Sequence, residues 1–230
     1  MLETSKKFSR PVLVAAVIFS DAIQLLPLLL LAGNFLWVEA WIYILIFTIF
    51  ITYTVFWMRK NNPKLIESRT SLKDSTRSDR IILGFISLTV IADFIVIGLD
   101  GGRFQWVPVP VLVKTFGFVG VALGLIIIFL VMKENSYASK VLRIEEGAGH
   151  KVISTGPYAI VRHPMYTGFI LMFFGLTIGL GSLFGLIPSA LLTIIMIVRI
   201  PLEEKMLHEG LEGYTDYTKK VKKRIIPLIW

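Results

Sequence analysis

The fold of this chain follows from one stretch, Ser154-Thr-Gly-Pro-Tyr-Ala-Ile-Val-Arg-His-Pro-Met-Tyr-Thr-Gly168, a polar segment that leads directly into an apolar run. Its Gly-Pro pair is typical of a turn, and Pro164 suits the first turn of a helix, where proline is tolerated. This order predicts that Arg162, His163 and Tyr166 lie together at a helix N-terminus. Free N–H groups and the positive end of the helix dipole favour an anionic ligand group there. We therefore interpret this turn as a candidate site.

The composition is that of a membrane protein. Of the 230 residues, 55% are hydrophobic and 17% are charged, against a usual charged fraction of about a quarter. The apolar runs approach or exceed the roughly 20 residues that cross a bilayer. The net charge of +8 is better explained by basic cytoplasmic loops than by a nucleic-acid partner, which we do not expect. The absence of cysteine excludes disulfides, thiolate nucleophiles and Cys–metal sites.

The apolar runs predict an all-α bundle of about six transmembrane helices. They cover approximately Pro11–Ala32, Leu36–Met58, Ile81–Leu99, Val111–Met132, Pro164–Leu180 and Leu183–Ile200. No small-residue cleavage pattern follows the first run, so we expect a retained span rather than a signal peptide. We interpret residues 1–230 as a single membrane domain. Spans one to four lie in 1–132, and 133–230 forms the catalytic region: a cofactor loop, a helical hairpin that turns at Gly181-Ser182, and a C-terminal helix.

The basic residues predict how the chain crosses the membrane. Twenty-two of the 24 Lys and Arg residues fall in 1–10, 59–80, 133–162 and 199–230. The other two, Arg103 and Lys114, flank the loop after the third span. Because cytoplasmic loops carry the excess of Lys and Arg, this distribution predicts a multi-pass protein with both termini cytoplasmic. It also predicts that the site lies at the cytoplasmic face.

Two further features concern polar residues near or within apolar segments. Apolar residues recur every three to five positions over 202–230, and Lys and Arg crowd one end. This pattern predicts an amphipathic interfacial helix on anionic headgroups, with a solvated tail as the alternative. Polar residues inside a span usually face other helices or a cavity. We interpret Asp21 as a hydrogen-bond partner of a neighbouring helix, with substrate binding as the alternative, and leave the roles of Gln24 and Asp93 open.

The hairpin brings two groups of polar residues to one end of the bundle. At 1.5 Å per residue its arms are about 26 and 32 Å long, so both return to the same interface. The residues that we expect to meet there are Arg162, His163, Tyr166, Arg199, Glu203 and Glu204. Such a pocket suits a zwitterionic ligand, with its carboxylate near His163 and Tyr166 and its ammonium near Glu203. The alternative is an Arg–Glu pair that only closes a helix end.

Four motifs in this region resemble one known family. They are Gly156-Pro-Tyr-x-x-x-Arg-His-Pro-x-Tyr-x-Gly168, Arg199-x-x-x-Glu203-Glu204-x-x-Leu207, Tyr214-x-x-Tyr217 and Arg224-x-x-Pro227. Together they resemble the isoprenylcysteine carboxyl methyltransferases, integral-membrane enzymes that use S-adenosylmethionine and have phospholipid N-methyltransferases as relatives. The resemblance covers about residues 135–230.

The resemblance implies roles for individual residues. Arg199 matches a substrate-contacting arginine, and Arg143 stands where some members carry a glutamine that contacts the cofactor. The implied S-adenosylmethionine site consists of His150, Lys151, Val152, Ile153, Tyr158, His163, Pro164, Met165, Tyr166 and Glu203.

The expected chemistry is in-line attack by an acceptor oxygen or nitrogen on a sulfonium methyl group, which needs no metal or protein nucleophile. A carboxylate acceptor needs no general base, and Arg199 can orient it with two hydrogen bonds. An amine acceptor must lose a proton, for which Glu204 is the nearest candidate base. The expected acceptor is lipophilic, most simply an isoprenylcysteine, with an ethanolamine phospholipid as the alternative. The expected partners are this acceptor and membrane lipids, and the sequence does not fix an oligomeric state.

Two other classes share some of these features. Membrane sterol reductases, which use NADPH, have a similar Arg-His-x-x-Tyr-x-Gly turn and a similar ending. They carry a Cys-x-x-Lys-Tyr-Gly type segment where this chain has Glu203-Glu204. A small transporter would place its polar site near the bilayer midplane, often with repeat symmetry. Here the polar residues cluster at one interface, so a methyltransferase is the favoured interpretation.

Overall fold

The computed structural model describes residues 9–63, 66, 77–135 and 152–227. Within these ranges it contains seven α-helices and no β-strand. The helices are α1 (Arg10–Ala32), α2 (Val38–Asn61), α3 (Arg77–Ile97), α4 (Val111–Glu134), α5 (Pro164–Gly179), α6 (Leu186–Gly210) and α7 (Tyr214–Lys220). A π-helical segment, Gly98–Phe104, continues α3, and a 3₁₀ turn, Gly156–Ala159, precedes α5.

Helices α1, α2, α3 with its π-helical extension, α4 and α6 are each long and apolar enough to cross a membrane. Helix α5 has 16 residues and is about 24 Å long, shorter than the roughly 30 Å of a bilayer's hydrocarbon core. Large apolar side chains face outward, as at Leu36 and Val111, which are 83% and 78% exposed. The predicted all-α membrane bundle is confirmed, and the chain is an integral membrane protein.

The C-terminal region differs from the single amphipathic helix predicted over 202–230. The first part of this region belongs to α6, which continues past Pro201 without a break and ends at Gly210. Gly213, at φ +82°, then separates α6 from the seven-residue α7, because a left-handed backbone angle cannot continue a right-handed helix. Residues 221–227, which we call the C-terminal strap, contain no helix. The basic residues that crowd this end of the sequence therefore lie on the short helix α7 and on the strap, and not on one long helix.

Glycines let α4 and α5 pack backbone to backbone. A Cβ atom on Gly175 would lie 2.6 Å from the backbone nitrogen of Val121, and one on Gly124 would lie 2.6 Å from the carbonyl oxygen of Gly168. Small residues at such spacings allow membrane helices to approach closely, where van der Waals contact replaces the hydrophobic effect as the source of stability. Although α4 and α5 are connected through residues 135–163, this contact makes them neighbours. It thereby fixes the position of the polar turn before α5.

Polar contacts connect the end of α3 to the turn between α5 and α6. The Asp100 carboxylate accepts hydrogen bonds from Ser182 Oγ at 2.7 Å and from the Phe184 backbone N–H at 3.1 Å. The chain turns at Gly181, immediately before Ser182, where φ is +77°. The end of α3 therefore lies beside the turn of the α5–α6 hairpin. It follows that the start of α3, the start of α5 and the end of α6 all lie at the other end, which we call the site end.

Polar residues inside the spans bind neighbouring helices to one another. Asp21 Oδ2 of α1 accepts a 2.8 Å hydrogen bond from Thr48 Oγ1 of α2, which confirms the interpretation of Asp21. Gln24 accepts a hydrogen bond from the Tyr43 hydroxyl group. Asp93 of α3 accepts a 3.2 Å bond from Ser189 of α6. Both residues whose roles were left open therefore contribute hydrogen bonds between helices.

Candidate active site

The turn before α5 has the local structure that its sequence predicts. Gly156 adopts a left-handed φ of +56° and begins the 3₁₀ turn Gly156–Ala159. Pro164 is the first residue of α5, a position where the missing N–H costs no helical hydrogen bond. The turn therefore delivers His163 as the residue immediately before α5, with Tyr166 within its first turn.

The hairpin brings Tyr166 of α5 to Glu203 of α6. The Tyr166 hydroxyl donates a 2.7 Å hydrogen bond to Glu203 Oε2. His163 Nδ1 lies 3.9 Å from Glu203 Oε1, and the rings of His163 and Tyr166 stack with centroids 5.7 Å apart. His163 and Tyr166 are buried, whereas the Glu203 side chain keeps a quarter of its surface exposed. A partly exposed carboxylate fixed on one side by a phenol can accept a cationic ligand group on the other.

Glu204, the next residue, joins three segments of the chain. Its Oε1 atom accepts a 2.7 Å hydrogen bond from Arg162 Nε and lies 3.2 Å from His163 Nε2. Its Oε2 atom lies 3.0 Å from Arg224 Nη2 and 3.1 Å from Arg224 Nε. Contacts with two guanidinium groups stabilise the ionised carboxylate and make it a weak base. These contacts favour a structural role for Glu204 over the predicted role as general base.

The C-terminal strap occupies the backbone donors in front of α5. The N–H groups of Arg162 and His163 donate to the carbonyl oxygens of Lys223 and Arg224 at 2.9 and 2.8 Å. The N–H groups of Tyr166 and Thr167, the third and fourth residues of α5, donate to the His163 carbonyl oxygen. The expectation that free N–H groups at this helix start hold an anion is therefore wrong for these four donors. The sequence pattern showed the helix start but not the segment that caps it.

Side-chain contacts also hold the strap in place. Arg162 Nη1 donates to the carbonyl oxygens of Val221 and Lys222, both at 3.0 Å. Thr167 Oγ1 donates to the carbonyl oxygen of Ile225 at 2.7 Å. The strap, α5 and Glu204 therefore form one hydrogen-bonded unit at the site end.

Arg199 lies one turn before Glu203 and pairs with a residue that the sequence analysis did not select. Its Nη2 atom donates a 2.8 Å hydrogen bond to Asp79 Oδ1. Both residues are buried, at 7% and 1% exposure. Asp79 lies in the basic loop before the predicted third span, and no motif marks it in the sequence. The predicted topology could have found it, because that topology already placed the start of the third span and the end of the sixth at the same face.

The predicted cofactor residues do not all join this cluster. Val152 and Tyr158 pack against Tyr214 and Tyr217 of α7, and Tyr217 Oη donates a 2.8 Å bond to the Tyr158 carbonyl oxygen. The other predicted cofactor residues, apart from His163, Tyr166 and Glu203, have different surroundings. Ile153 is half-buried, Pro164 is buried and Met165 packs against the main core, while His150, Lys151 and the doubtful Arg143 lie outside the described residues. The site thus consists of a polar cluster around Glu203 and an aromatic cluster around Tyr217.

The aromatic cluster presents neutral phenols. Burial raises the pKa of both Tyr214 and Tyr217, and nearby carboxylates such as Glu204 raise it further. Both side chains therefore stay protonated, and the Tyr217 hydroxyl serves as a hydrogen-bond donor. Among the described residues the Tyr214 hydroxyl has no hydrogen-bond partner.

Comparisons with known proteins give a consistent result. Residues 112–212 match the family model of phospholipid methyltransferases, a range that includes α5, the hairpin turn and the whole of α6. The fold is similar to that of the eukaryotic intramembrane Ras methyltransferase, isoprenylcysteine carboxyl methyltransferase, solved without a monobody. The TM-score is 0.53 at 18% identity, over 80% of this chain and 67% of that chain. No curated protein is significantly similar in sequence.

Proposed function

We propose that this chain is an integral-membrane methyltransferase that transfers the methyl group of S-adenosylmethionine to the carboxylate of a lipophilic, isoprenylcysteine-like acceptor. The carrying observation is the partly exposed Glu203 carboxylate held by Tyr166 at 2.7 Å, one helical turn from the buried Arg199. One acidic and one basic group thus stand on the same face of α6. The first suits a donor with an ammonium group and the second suits an acceptor with a carboxylate.

The donor half of the proposal rests on Glu203. S-adenosylmethionine carries an ammonium group and supplies a sulfonium methyl group as the electrophile. Glu203 is the fitting partner for that ammonium group, because Tyr166 fixes the carboxylate without neutralising its charge. His163 lies between the carboxylates of Glu203 and Glu204, which disfavours a carboxylate next to it. His150 and Lys151, which lie outside the described residues, stay as predictions for the partners of the donor carboxylate.

The acceptor half rests on Arg199. A carboxylate is already a nucleophile and needs no proton removed, so the protein has only to orient it and exclude water. A guanidinium group does so with two parallel N–H···O bonds. Glu204 serves in this scheme as a positioning residue, because it holds Arg162, His163 and the strap in register behind Glu203.

Phospholipid N-methylation is the second candidate, and the family model of phospholipid methyltransferases favours it. An ammonium headgroup must be deprotonated before it can attack. Glu204 is the nearest candidate base, but its two guanidinium partners lower its basicity. This contact set favours the carboxylate acceptor over the amine acceptor.

The position of the site at one end of the bundle suits an acceptor that stays in the membrane. Reaction at the bundle rim lets a lipid tail stay among apolar helix surfaces while its head reaches Arg199. The charge distribution supports the cytoplasmic face for this end and for both termini, because the basic loops flank the same helix ends.

The test is methyl transfer by purified protein in lipid nanodiscs. Radiolabelled S-adenosylmethionine is supplied with a small S-prenylcysteine, its methyl ester, or phosphatidylethanolamine. We expect label in the S-prenylcysteine, released by mild base as expected for an ester, and none with the ester. Transfer to phosphatidylethanolamine alone would establish the second candidate. Transfer to neither, together with no binding of S-adenosylhomocysteine, would contradict both.

A further inference from the structure

Asp79 and Arg199 form a buried ion pair between two helices that are remote in sequence. Asp79 lies in the first turn of α3 and Arg199 lies near the site end of α6, with Nη2 and Oδ1 2.8 Å apart. The Asp79 side chain has no exposed surface and that of Arg199 has 8%. Charges at this depth need partners, because burial removes their hydration. The pair therefore fixes where the guanidinium group stands.

The same arginine faces the donor residues. It interacts electrostatically with Tyr166 and Glu203 as well as with Asp79. Arg199 thus lies near the Tyr166–Glu203 pair while it is bonded to Asp79 of α3. An acceptor that reaches Arg199 is next to the proposed methyl donor.

A hydrogen bond to one carboxylate uses only part of the donor capacity of a guanidinium group. Arginine carries five N–H donors in a planar fork, so a guanidinium group whose plane is held by one carboxylate can also bind a second carboxylate. A lysine would not do this, because its ammonium group is a point charge that rotates about a flexible stem.

We propose that Asp79 is a positioning residue that holds the Arg199 guanidinium group in the orientation that binds the acceptor carboxylate. Asp79 thereby selects a carboxylate acceptor over an amine acceptor. The inference rests on the proposed function and adds to it that acceptor selection depends on α3, outside the range 112–212 that matches the family model. If the acceptor were an amine, Asp79 itself would be its counter-ion, and loss of the Asp79 charge would then weaken the reaction of the amine.

Two variants of Asp79 separate the effect of the hydrogen bond to Arg199 from the effect of the negative charge. Asp79→Asn keeps an oxygen that accepts the bond from Arg199, whereas Asp79→Leu removes it. Because Asp79→Leu removes the Asp79 carboxylate from beside a buried guanidinium group and can fail to fold, the double variant Asp79→Leu/Arg199→Leu replaces the pair with apolar residues, which buried ion pairs generally tolerate. Asp100→Asn is the matched control, because Asp100 is equally buried but lies at the opposite end of the bundle.

The measurement is affinity for a small S-prenylcysteine and for its methyl ester, by calorimetry in nanodiscs saturated with S-adenosylhomocysteine. Wild type, Asp79→Asn and Asp100→Asn should prefer the carboxylate over the ester by at least tenfold. Asp79→Leu and the double variant should lose that preference while they bind the ester and S-adenosylhomocysteine as wild type does. The kcat of Asp79→Leu should also fall at least tenfold at saturating acceptor, and that of Asp79→Asn by less than threefold.

Three results would overturn the inference. The first is an unchanged carboxylate preference in Asp79→Leu and in the double variant. The second is a wild type that methylates the S-prenylcysteine but binds carboxylate and ester equally. The third is a wild type that acts on phosphatidylethanolamine alone and loses that activity in Asp79→Asn. The first two leave the proposed function standing, whereas a wild type that binds neither S-adenosylhomocysteine nor any acceptor contradicts the proposed function itself.

Discussion

The Tyr166 hydroxyl group donates a 2.7 Å hydrogen bond to Glu203 Oε2 across 37 residues of sequence. The bond joins the first turn of α5 to the end of α6. It orients a partly exposed carboxylate that has no cationic residue directly bonded to it among the described contacts, in contrast to the adjacent Glu204. Two neighbouring glutamates thus receive different roles from their surroundings.

Glu203→Gln should weaken binding of S-adenosylhomocysteine about tenfold or more, because a hydrogen bond to a charged group contributes about 1.5–3 kcal/mol. Tyr166→Phe should cause a smaller loss, since the carboxylate stays but is no longer oriented. Calorimetry measures both. Glu209→Gln is the control, since Glu209 lies on the same helix with a side chain that is 68% exposed. Wild-type affinity in Glu203→Gln would remove Glu203 from the donor site.

Arg199→Ala should abolish methyl transfer while binding of S-adenosylhomocysteine stays mostly intact, because Arg199 is assigned to the acceptor. The assay is turnover with a small S-prenylcysteine, with donor affinity measured on the same preparation. Arg199→Lys should not restore turnover, because an ammonium group cannot form two parallel bonds. An equal loss of donor affinity in Arg199→Ala and Glu203→Ala would contradict the division of roles.

Glu204→Ala should destabilise the protein by about 3 kcal/mol or more, because it leaves the buried Arg162 without the carboxylate that pairs with it. Glu204→Gln should be milder, since an amide oxygen still accepts from Arg162. Thermal unfolding followed by circular dichroism in detergent gives the ranking. If Glu204→Ala instead unfolds like wild type and only slows turnover, then Glu204 is a base and not a positioning residue.

Gly175→Ala should destabilise by about 1–3 kcal/mol, because the added Cβ atom would lie 2.6 Å from the Val121 backbone nitrogen and force α4 and α5 apart. Gly84→Ala is a matched control in a lipid-facing helix, with nothing within 4 Å of its Cβ position. It should be neutral or stabilising by up to about 1 kcal/mol, as expected from helix propensity. Equal melting temperatures for the two variants would show that the α4–α5 contact is looser than described.

Thr167→Val should lower stability by about 1 kcal/mol, because it removes the 2.7 Å bond to the Ile225 carbonyl oxygen. It should also make the strap accessible to protease before the helices unfold. Thr193→Val is the control, since within the described part of the chain that hydroxyl bonds only the Ser189 carbonyl oxygen of its own helix. Identical proteolysis of the two variants would show that Thr167 does not hold the strap.

Much of the fold could be predicted because membrane burial acts on local sequence. A bilayer requires each span to satisfy its own backbone hydrogen bonds, so hydropathy and length define the helices directly. The α4–α5 contact was less visible, although Gly120-x-x-x-Gly124 and Gly175-x-x-x-Gly179 are small-residue spacings that indicate close helix packing. The site residues of the hairpin could be predicted to meet because two arms of similar length must return to one face.

The spans, the hairpin and the meeting of Tyr166 with Glu203 could be predicted, since these depend on residue spacing along continuous helices. The pairing of Asp79 with Arg199 and the bonds from the backbone donors before α5 to the strap were not predicted, and they became visible in the folded chain. Both are contacts between segments that no periodicity connects, and a buried charge or a helix end accepts any partner of the right chemistry. Which partner reaches it depends on how the helices pack.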